Sequence, residues 1–439
     1  MAAEHGILKG EALERIGCKG RQSLPLPAGG TPYIPTRRYS MLKISGGRVV
    51  LRDRTAENLN VYVENGRIAA VTAEEMPFDE EICAEGRYVS PGFVEMHTHG
   101  GGDSDFLDGT AEAFLTASEL HASHGVTTLI PTATSGELGD TLNLNAAYEE
   151  AVKRNTHGAD MPGLHLEGPY FAYGQRGAQD PRHLRNPQPE EYNRILDACP
   201  HVLRWSVAPE LPGAIGLGEE LKKRGILAAI GHTDAEWPEI EAAWQAGYSH
   251  VTHLYSCMST VHRKNAYRYI GVVEAAYLID DMTVEIIADG CHLPAELLKL
   301  IYKFKGADRI ALVTDSMRGA GMPDGTVSML GHWKNGLETI IEDGVAKLPD
   351  RTAFAGSVAT FDRLVRNMLT MAEVPMHEVI AMASTTPARI MGLADRGAIQ
   401  PGLRADLVLF DDNVNVSLVM REGTVIWKDG RKEAISHVE

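Results

Sequence analysis

Eight strand-sized apolar runs follow one another through the middle of the sequence, and no other feature limits the fold as strongly. They lie at Phe93 to Met96, Thr127 to Pro131, Gly163 to Leu166, Leu203 to Val207, Ile226 to Ile230, His250 to Leu254, Val284 to Ala288 and Ile310 to Val313. Helical spacing of apolar residues separates most of them, for example at Ala111 to His124, Pro189 to Ala198, Pro238 to Ala246 and Pro294 to Phe304. A strand, a returning helix and another strand make a parallel pair, and eight such units predict an α/β fold of the (β/α)8, TIM-like barrel type. A last helical region runs from Thr360 to Ala372 and from Met376 to Met391.

The flanks read differently. From Met41 the text is short strands and turns, with Asn65-Gly66 between two apolar runs as a hairpin signal. A matching pattern returns at Asp406 to Phe410, Val416 to Met420 and Val425 to Trp427. Strand-rich segments at the two ends of a chain can pair, so residues 41–90 and 398–439 are expected to form a small β-sandwich domain around a barrel of residues 91–397. Residues 1–40 hold a Pro/Gly-rich stretch from Pro25 to Pro35 and no long apolar segment. They are expected to be a poorly packed extension rather than a secretory signal.

Composition narrows the partners. The formal net charge of -17 argues against nucleic acid. No segment reaches the roughly 20 apolar residues that cross a bilayer. The five cysteines, Cys18, Cys83, Cys199, Cys257 and Cys291, are scattered and odd in number. That pattern fits a reducing cytoplasm better than a disulfide framework.

The residues with chemistry to offer fall at the C-terminal ends of the barrel strands, where barrel active sites are built. His97 and His99 end the first strand, and residues two apart on a strand face one side. Glu167 ends the third strand, His232 the fifth, His253 the sixth and Asp315 the eighth. A single histidine near a strand end is ordinarily structural. Four histidines and two carboxylates, each just after an apolar run, are hard to bury without a compensating cation. Imidazole and carboxylate donors suit zinc first, with iron, manganese, cobalt or nickel as alternatives, and leave one or two divalent ions open. Such an ion acidifies water and polarises a carbonyl, and a carboxylate nearby can move the proton. Asp315 is the candidate for that proton transfer. His292, just past the seventh strand, either stabilises an oxyanion, holds a substrate carbonyl or is a structural loop histidine.

These segments together resemble the N-acetylglucosamine-6-phosphate deacetylases of the amidohydrolase superfamily, from about Met41 to the C-terminus. The likeness rests on Pro91-Gly92-Phe93 with the paired histidines after it, His165-Leu166-Glu167-Gly168-Pro169, Ala208-Pro209-Glu210, Gly231-His232-Thr233, Thr252-His253-Leu254-Tyr255, Ala288-Asp289-Gly290 with His292, Val313-Thr314-Asp315 and Ala355-Gly356-Ser357. It implies that Glu167, His232 and His253 hold the main metal ion and that His97 and His99 permit a second. It implies Asp315 as acid and base, and His292 as a residue that binds the acetyl carbonyl. It places further substrate contacts at Ala178, Gln179, Ser256, Cys257, Arg263, Phe354, Ala355 and Gly356. The expected reaction is removal of the acetyl group from an amino sugar phosphate, a small molecule, by a homodimer.

Three positions depart from the family. Ser256 and Cys257 stand where Asn-Ala helps hold the phosphate, and Gln179 stands where a Gly-x-His ends. The arginine that reaches the phosphate, often of the neighbouring subunit, has Arg263 as its nearest match. These departures leave a different or unphosphorylated N-acyl substrate as the alternative. A non-catalytic barrel is a weaker one, because such a chain should have lost ligands that this one keeps.

Overall fold

The eight apolar runs pair side by side in one parallel sheet of eight strands, following one another in the order of the chain. The computed structural model of the chain describes residues 41–428, so the expected extension 1–40 and residues 429–439 lie outside the described residues. The barrel strands are Phe93–Thr98, Val126–Ala133, Leu164–Glu167, Val202–Val207, Leu227–Ile230, Tyr248–Val251, Thr283–Ile286 and Ile310–Leu312. Between the first and last strands, closure is made by single hydrogen bonds. Thr314 N–H donates to Glu95 Oε2 at 2.9 Å, Asp315 N–H to His97 O at 2.9 Å and His99 N–H to Ser316 O at 2.8 Å. Those bonds bring the first and eighth strand ends together at the same mouth.

The first two strands are buried along their whole length, as a parallel sheet covered on both faces requires. The covering helices include Ala111–Ser123, Leu138–Arg154, Ala214–Arg224, Trp237–Ala246 and Ala295–Lys305. Their boundaries carry ordinary signals. Thr110 Oγ1 accepts the Ala113 N–H at one start, and Gly225 and Gly247 close two ends in left-handed conformation. The expected single helix from Met376 to Met391 is instead a helix at Met376–Ile380, a wider π-turn at Ala381–Thr385 and a helix at Thr386–Ile390. Pro387 sits inside this stretch and has no N–H to continue the ordinary ladder.

Two further sheets flank the barrel, the first built from both ends of the described chain and the second from its N-terminal part alone. One has six strands, in the order Thr424–Lys428, Val416–Arg421, Leu407–Phe410, Tyr88–Pro91, Arg48–Val50 and Thr55–Ala56. The other has four, in the order Arg67–Thr72, Asn60–Glu64, Leu42–Ser45 and Glu80–Cys83. Ile44, Val61, Ile68, Val89, Leu407 and Met420 form one apolar cluster between them, so the pair is a β-sandwich. The Asn65-Gly66 turn has both residues at positive φ, 53° and 74°, as a tight two-residue hairpin needs. Asp160, beside the second barrel strand, pairs with Arg396 at 2.7 Å and Arg404 at 2.8 Å. That contact ties the barrel to the segment leading back into the sandwich.

Two additions leave the barrel on its site side. A hairpin of His262–Lys264 and Tyr267–Tyr269 follows the sixth strand and is exposed throughout. A three-stranded sheet of Val327–Leu330, Leu337–Glu342 and Val345–Lys347 follows the eighth. Among the described residues no helix is long and apolar enough to cross a membrane.

Candidate metal centre and active site

Each strand end delivers its side chain to one cluster. His97 lies in the first strand and His99 just beyond it, Glu167 is the last residue of the third, and His232, His253 and Asp315 lie two to three residues past the fifth, sixth and eighth. All six are buried. The last three have left-handed backbones, with φ of 48°, 28° and 45°. A non-glycine residue held there costs of order 1–3 kcal/mol, and such strain gathers at functional sites where the surroundings enforce it. Here the turn swings each side chain back across the barrel mouth.

Glu167 is the centre of the cluster. Its Oε1 lies 3.2 Å from His232 Nε2, 3.1 Å from His253 Nε2 and 3.5 Å from His97 Nε2. Its Oε2 lies 3.2 Å from His99 Nε2. Asp315 Oδ1 is 3.4 Å from His97 Nε2 and 3.2 Å from His99 Nε2. Two overlapping donor triads result, His97–His99–Glu167 and Glu167–His232–His253, each with its ligand atoms within 4.8 Å of one another.

These residues fit a divalent cation. His97 Nε2 is buried with no hydrogen-bond partner, and the His232 and His253 Nε2 atoms face each other at 3.1 Å. Two imidazole nitrogens so close cannot both present a lone pair unless something positive lies between them. His97 and His232 have their other ring nitrogen engaged. His97 Nδ1 lies 2.6 Å from Glu285 Oε1, and His232 Nδ1 lies 2.9 Å from Gln175 O. Donating there leaves each Nε2 as the inward acceptor, the arrangement metal-binding histidines use. Burial opposes ionisation of Glu167, but His97 and the other imidazoles outweigh it and hold the carboxyl well below its ordinary range. Asp315 is lowered in the same way, burial opposing and His97 and His99 prevailing.

The cluster forms the floor of an open cavity whose walls include Thr134, Gly177, Ala178, Gln179, Ser256, Cys257, Ile287, His292, Leu330, Phe354 and Gly356. His292 is pinned by Asp289, whose Oδ1 accepts the His292 main-chain N–H at 2.9 Å and whose Oδ2 lies 2.9 Å from Nδ1. That leaves its Nε2 for the cavity that His292 lines, and the His292 and Phe354 ring centroids are 4.9 Å apart. Gly177 has φ of 55°, and a Cβ there would meet Cys257 Sγ at 2.6 Å, so glycine is required where the two loops touch. Burial opposes ionisation of the Cys257 thiol, but the His232 imidazole prevails and lowers it below its ordinary value.

The structure gathers His97, His99, Glu167, His232, His253, Asp315 and His292 at one mouth, with Ala178, Gln179, Ser256, Cys257, Phe354 and Gly356 in the wall. Two candidates fall elsewhere. Ala355 is fully buried and packs in an apolar cluster with Met317, Leu330 and Ala346 instead of lining the cavity. Arg263 lies on the exposed hairpin, opposite Arg268, and does not line the cavity. Thr134, Ile287 and Leu330 were not anticipated. Thr134 and Ile287 directly follow barrel strands and Leu330 ends a strand of the added sheet, and as small or apolar residues they carry no chemical signal in sequence.

An eight-stranded barrel with two donor triads at its C-terminal mouth defines a metal-dependent hydrolase class. Residues 88–426 match the amidohydrolase family, and the chain belongs to it. It is 30% identical over 387 residues to N-acetylglucosamine-6-phosphate deacetylase of Bacillus subtilis, covering 86% of this chain and 95% of that one. It is 29% identical over 378 residues to N-acetylgalactosamine-6-phosphate deacetylase of Escherichia coli O157:H7, covering 86% of this chain and 97% of that one. The crystal structure of N-acetyl-D-glucosamine-6-phosphate deacetylase from Mycobacterium smegmatis superposes with a TM-score of 0.80 at 31% identity, covering 89% of this chain and all of that one.

Proposed function

We propose that the chain hydrolyses the acetamido group of N-acetylglucosamine 6-phosphate, giving glucosamine 6-phosphate and acetate. The observation that carries this reading is the placement of Asp315 and His292 on the rim of the two donor triads, beside a cavity open to a small molecule. Glu167, His232 and His253 hold one divalent ion and His97 with His99 a second, zinc being the first choice for imidazole and carboxylate donors. When bound, the ion supplies positive charge that acidifies water and polarises the amide carbonyl.

The chain's own residues do the rest. Asp315, ionised and within reach of the centre, takes a proton from the attacking water. A carbon–oxygen bond forms at the carbonyl carbon and the carbon–nitrogen bond breaks. The same proton passes from Asp315 to the departing amine, so atoms and charge balance. His292, oriented by Asp289, holds the carbonyl oxygen through Nε2 as charge develops there.

No Lys or Arg lines the cavity among the described residues, and burying a phosphate dianion unpaired is too costly. In a homodimer, the exposed hairpin of one copy brings Arg263 to the phosphate bound by the other, where a guanidinium grips two oxygens. A reducing cytoplasm suits the chain, since Cys83, Cys199, Cys257 and Cys291 are all free thiols. The relative named for the galactosamine isomer supports a second reading, an isomeric amino sugar phosphate, at nearly the same identity. Acetate release across N-acetylated glucosamine and galactosamine, each with and without 6-phosphate, tests both. The glucosamine phosphate is expected to have the highest kcat/KM. A preference for an unphosphorylated sugar would overturn the phosphate reading.

A further inference from the structure

Below the metal centre, on the side away from the cavity, lies a carboxylate that the reaction does not use. Glu285 sits in the seventh barrel strand and has no solvent exposure. Its Oε1 lies 2.6 Å from His97 Nδ1 and accepts the main-chain N–H of His253 at 3.0 Å. Its Oε2 pairs with the guanidinium of Arg204, which is equally buried and also donates to Thr252 Oγ1 at 2.9 Å. An ion pair at the centre of a barrel is weak support for stability, because both charges lose their hydration. Here it touches two candidate ligands, the ring of His97 and the main chain of His253.

We propose that Glu285, with Arg204 as its counter-charge, is a positioning residue for the metal centre. Accepting from His97 Nδ1–H fixes one tautomer and turns Nε2 toward Glu167 and Asp315. That Nε2 is buried with no hydrogen-bond partner. Accepting from His253 N–H holds a left-handed main chain, φ 28°, that would otherwise relax and withdraw the second ligand. Arg204 pairs with the other carboxylate oxygen and is itself anchored on Thr252 Oγ1, so the Glu285 side chain is held in one orientation. One buried group therefore sets the geometry of both donor triads. This inference rests on His97 being a ligand.

The test measures zinc rather than turnover. Metal-free wild type, His97→Ala, Glu285→Gln and the double variant Glu285→Gln/Arg204→Met are titrated with zinc against a chromophoric chelator, and bound zinc is counted after gel filtration. The double variant removes both charges, so no lone buried ion is left to prevent folding. Glu285→Gln and the double variant are expected to weaken zinc binding on the order of 10–100-fold, the usual effect of losing an outer partner, with the melting temperature of the metal-free double variant near that of wild type. Zinc affinity equal to wild type in either Glu285 variant would overturn the proposal. Full zinc binding by His97→Ala would show instead that His97 is no ligand, and would overturn the proposal at that earlier step. Nitrogen-15 spectra of histidine-labelled, zinc-loaded wild type provide a readout even if the variants do not fold. The proton of His97 is expected on Nδ1, and a proton on Nε2 would overturn the assignment.

Discussion

Gln179 Nε2 donates to Glu167 Oε2 across 2.7 Å, while the other carboxylate oxygen of Glu167 faces His232 and His253. Gln179 is itself held, its Oε1 accepting from Thr134 Oγ1 at 2.7 Å and from the Ser135 N–H at 3.0 Å. The amide thus joins the loop after the second barrel strand to the shared carboxylate of both donor triads. Gln179→Ala removes that restraint and leaves Oε2 short of one donor. Zinc affinity is expected to fall on the order of 10–100-fold, with little change in the melting temperature of the metal-free protein. Chelator competition alongside thermal unfolding separates the two effects.

Removing Glu167 itself is the more severe change, because its carboxylate belongs to both triads. Glu167→Ala is expected to lose bound metal at both positions and activity with it, while the metal-free protein stays folded. Elemental analysis of protein purified without chelator checks this. Stoichiometric metal in that variant would remove Glu167 as a ligand.

Asp315 is assigned proton transfer, so its loss should act on turnover more than on binding. Asp315→Asn keeps the shape of the side chain and removes the base. The kcat is expected to drop on the order of 100-fold or more, with KM and zinc content much less affected. Near wild-type turnover in that variant would move the proton transfer to another group.

The cluster of candidate donors was legible in the sequence because each member follows an apolar run, and a parallel barrel puts the ends of such runs at one mouth. The fold was legible for the same reason, since strand and helix periods alternate over a long stretch. Glu285 was not. It lies within the apolar run Val284 to Ala288, where one charged residue among apolar ones gives no hint that it faces His97 across the barrel. Arg204 hides in the same way inside Leu203 to Val207. The left-handed backbones of His232, His253 and Asp315 were also invisible, because no glycine or asparagine marks those positions. Strain of this kind is imposed by tertiary contacts and leaves no local residue preference.

The tie between the barrel and the segment returning to the sandwich has a pH signature. Burial opposes ionisation of Asp160, but Arg396 and Arg404 prevail and hold its carboxyl below the ordinary value. The folded state therefore binds that proton less readily than the unfolded chain. Its stabilising contribution is complete above the unfolded pKa of about 3.9 and is lost as pH falls through the lower folded value. Asp160→Asn is expected to cost on the order of 2 kcal/mol near neutral pH, the scale of hydrogen bonds to a charged group. Urea unfolding of both proteins from pH 7 to pH 3 should show a constant gap above about pH 5 that narrows below about pH 4. A gap independent of pH would mean that the carboxylate charge contributes nothing.

Arg263 gives the prediction that decides how the substrate phosphate is read. It stands on an exposed strand outside the cavity of its own chain, so an effect on that cavity must come from a second copy. Arg263→Ala is expected to lower kcat/KM for the 6-phosphorylated sugar by about 10–100-fold, the worth of one or two charge-assisted hydrogen bonds. The unphosphorylated sugar should be affected little. Equal losses on both sugars would remove Arg263 as the phosphate reader. Mixing supplies the sharper comparison. A heterodimer of Asp315→Asn and Arg263→Ala subunits contains one site with an intact Asp315 and an Arg263 donated by the other copy. Two preparations that are each weak should therefore recover activity on the phosphorylated sugar once their subunits have exchanged. If exchange is verified and no activity returns, Arg263 does not act across the dimer, and the phosphate must be met by a group of the same chain.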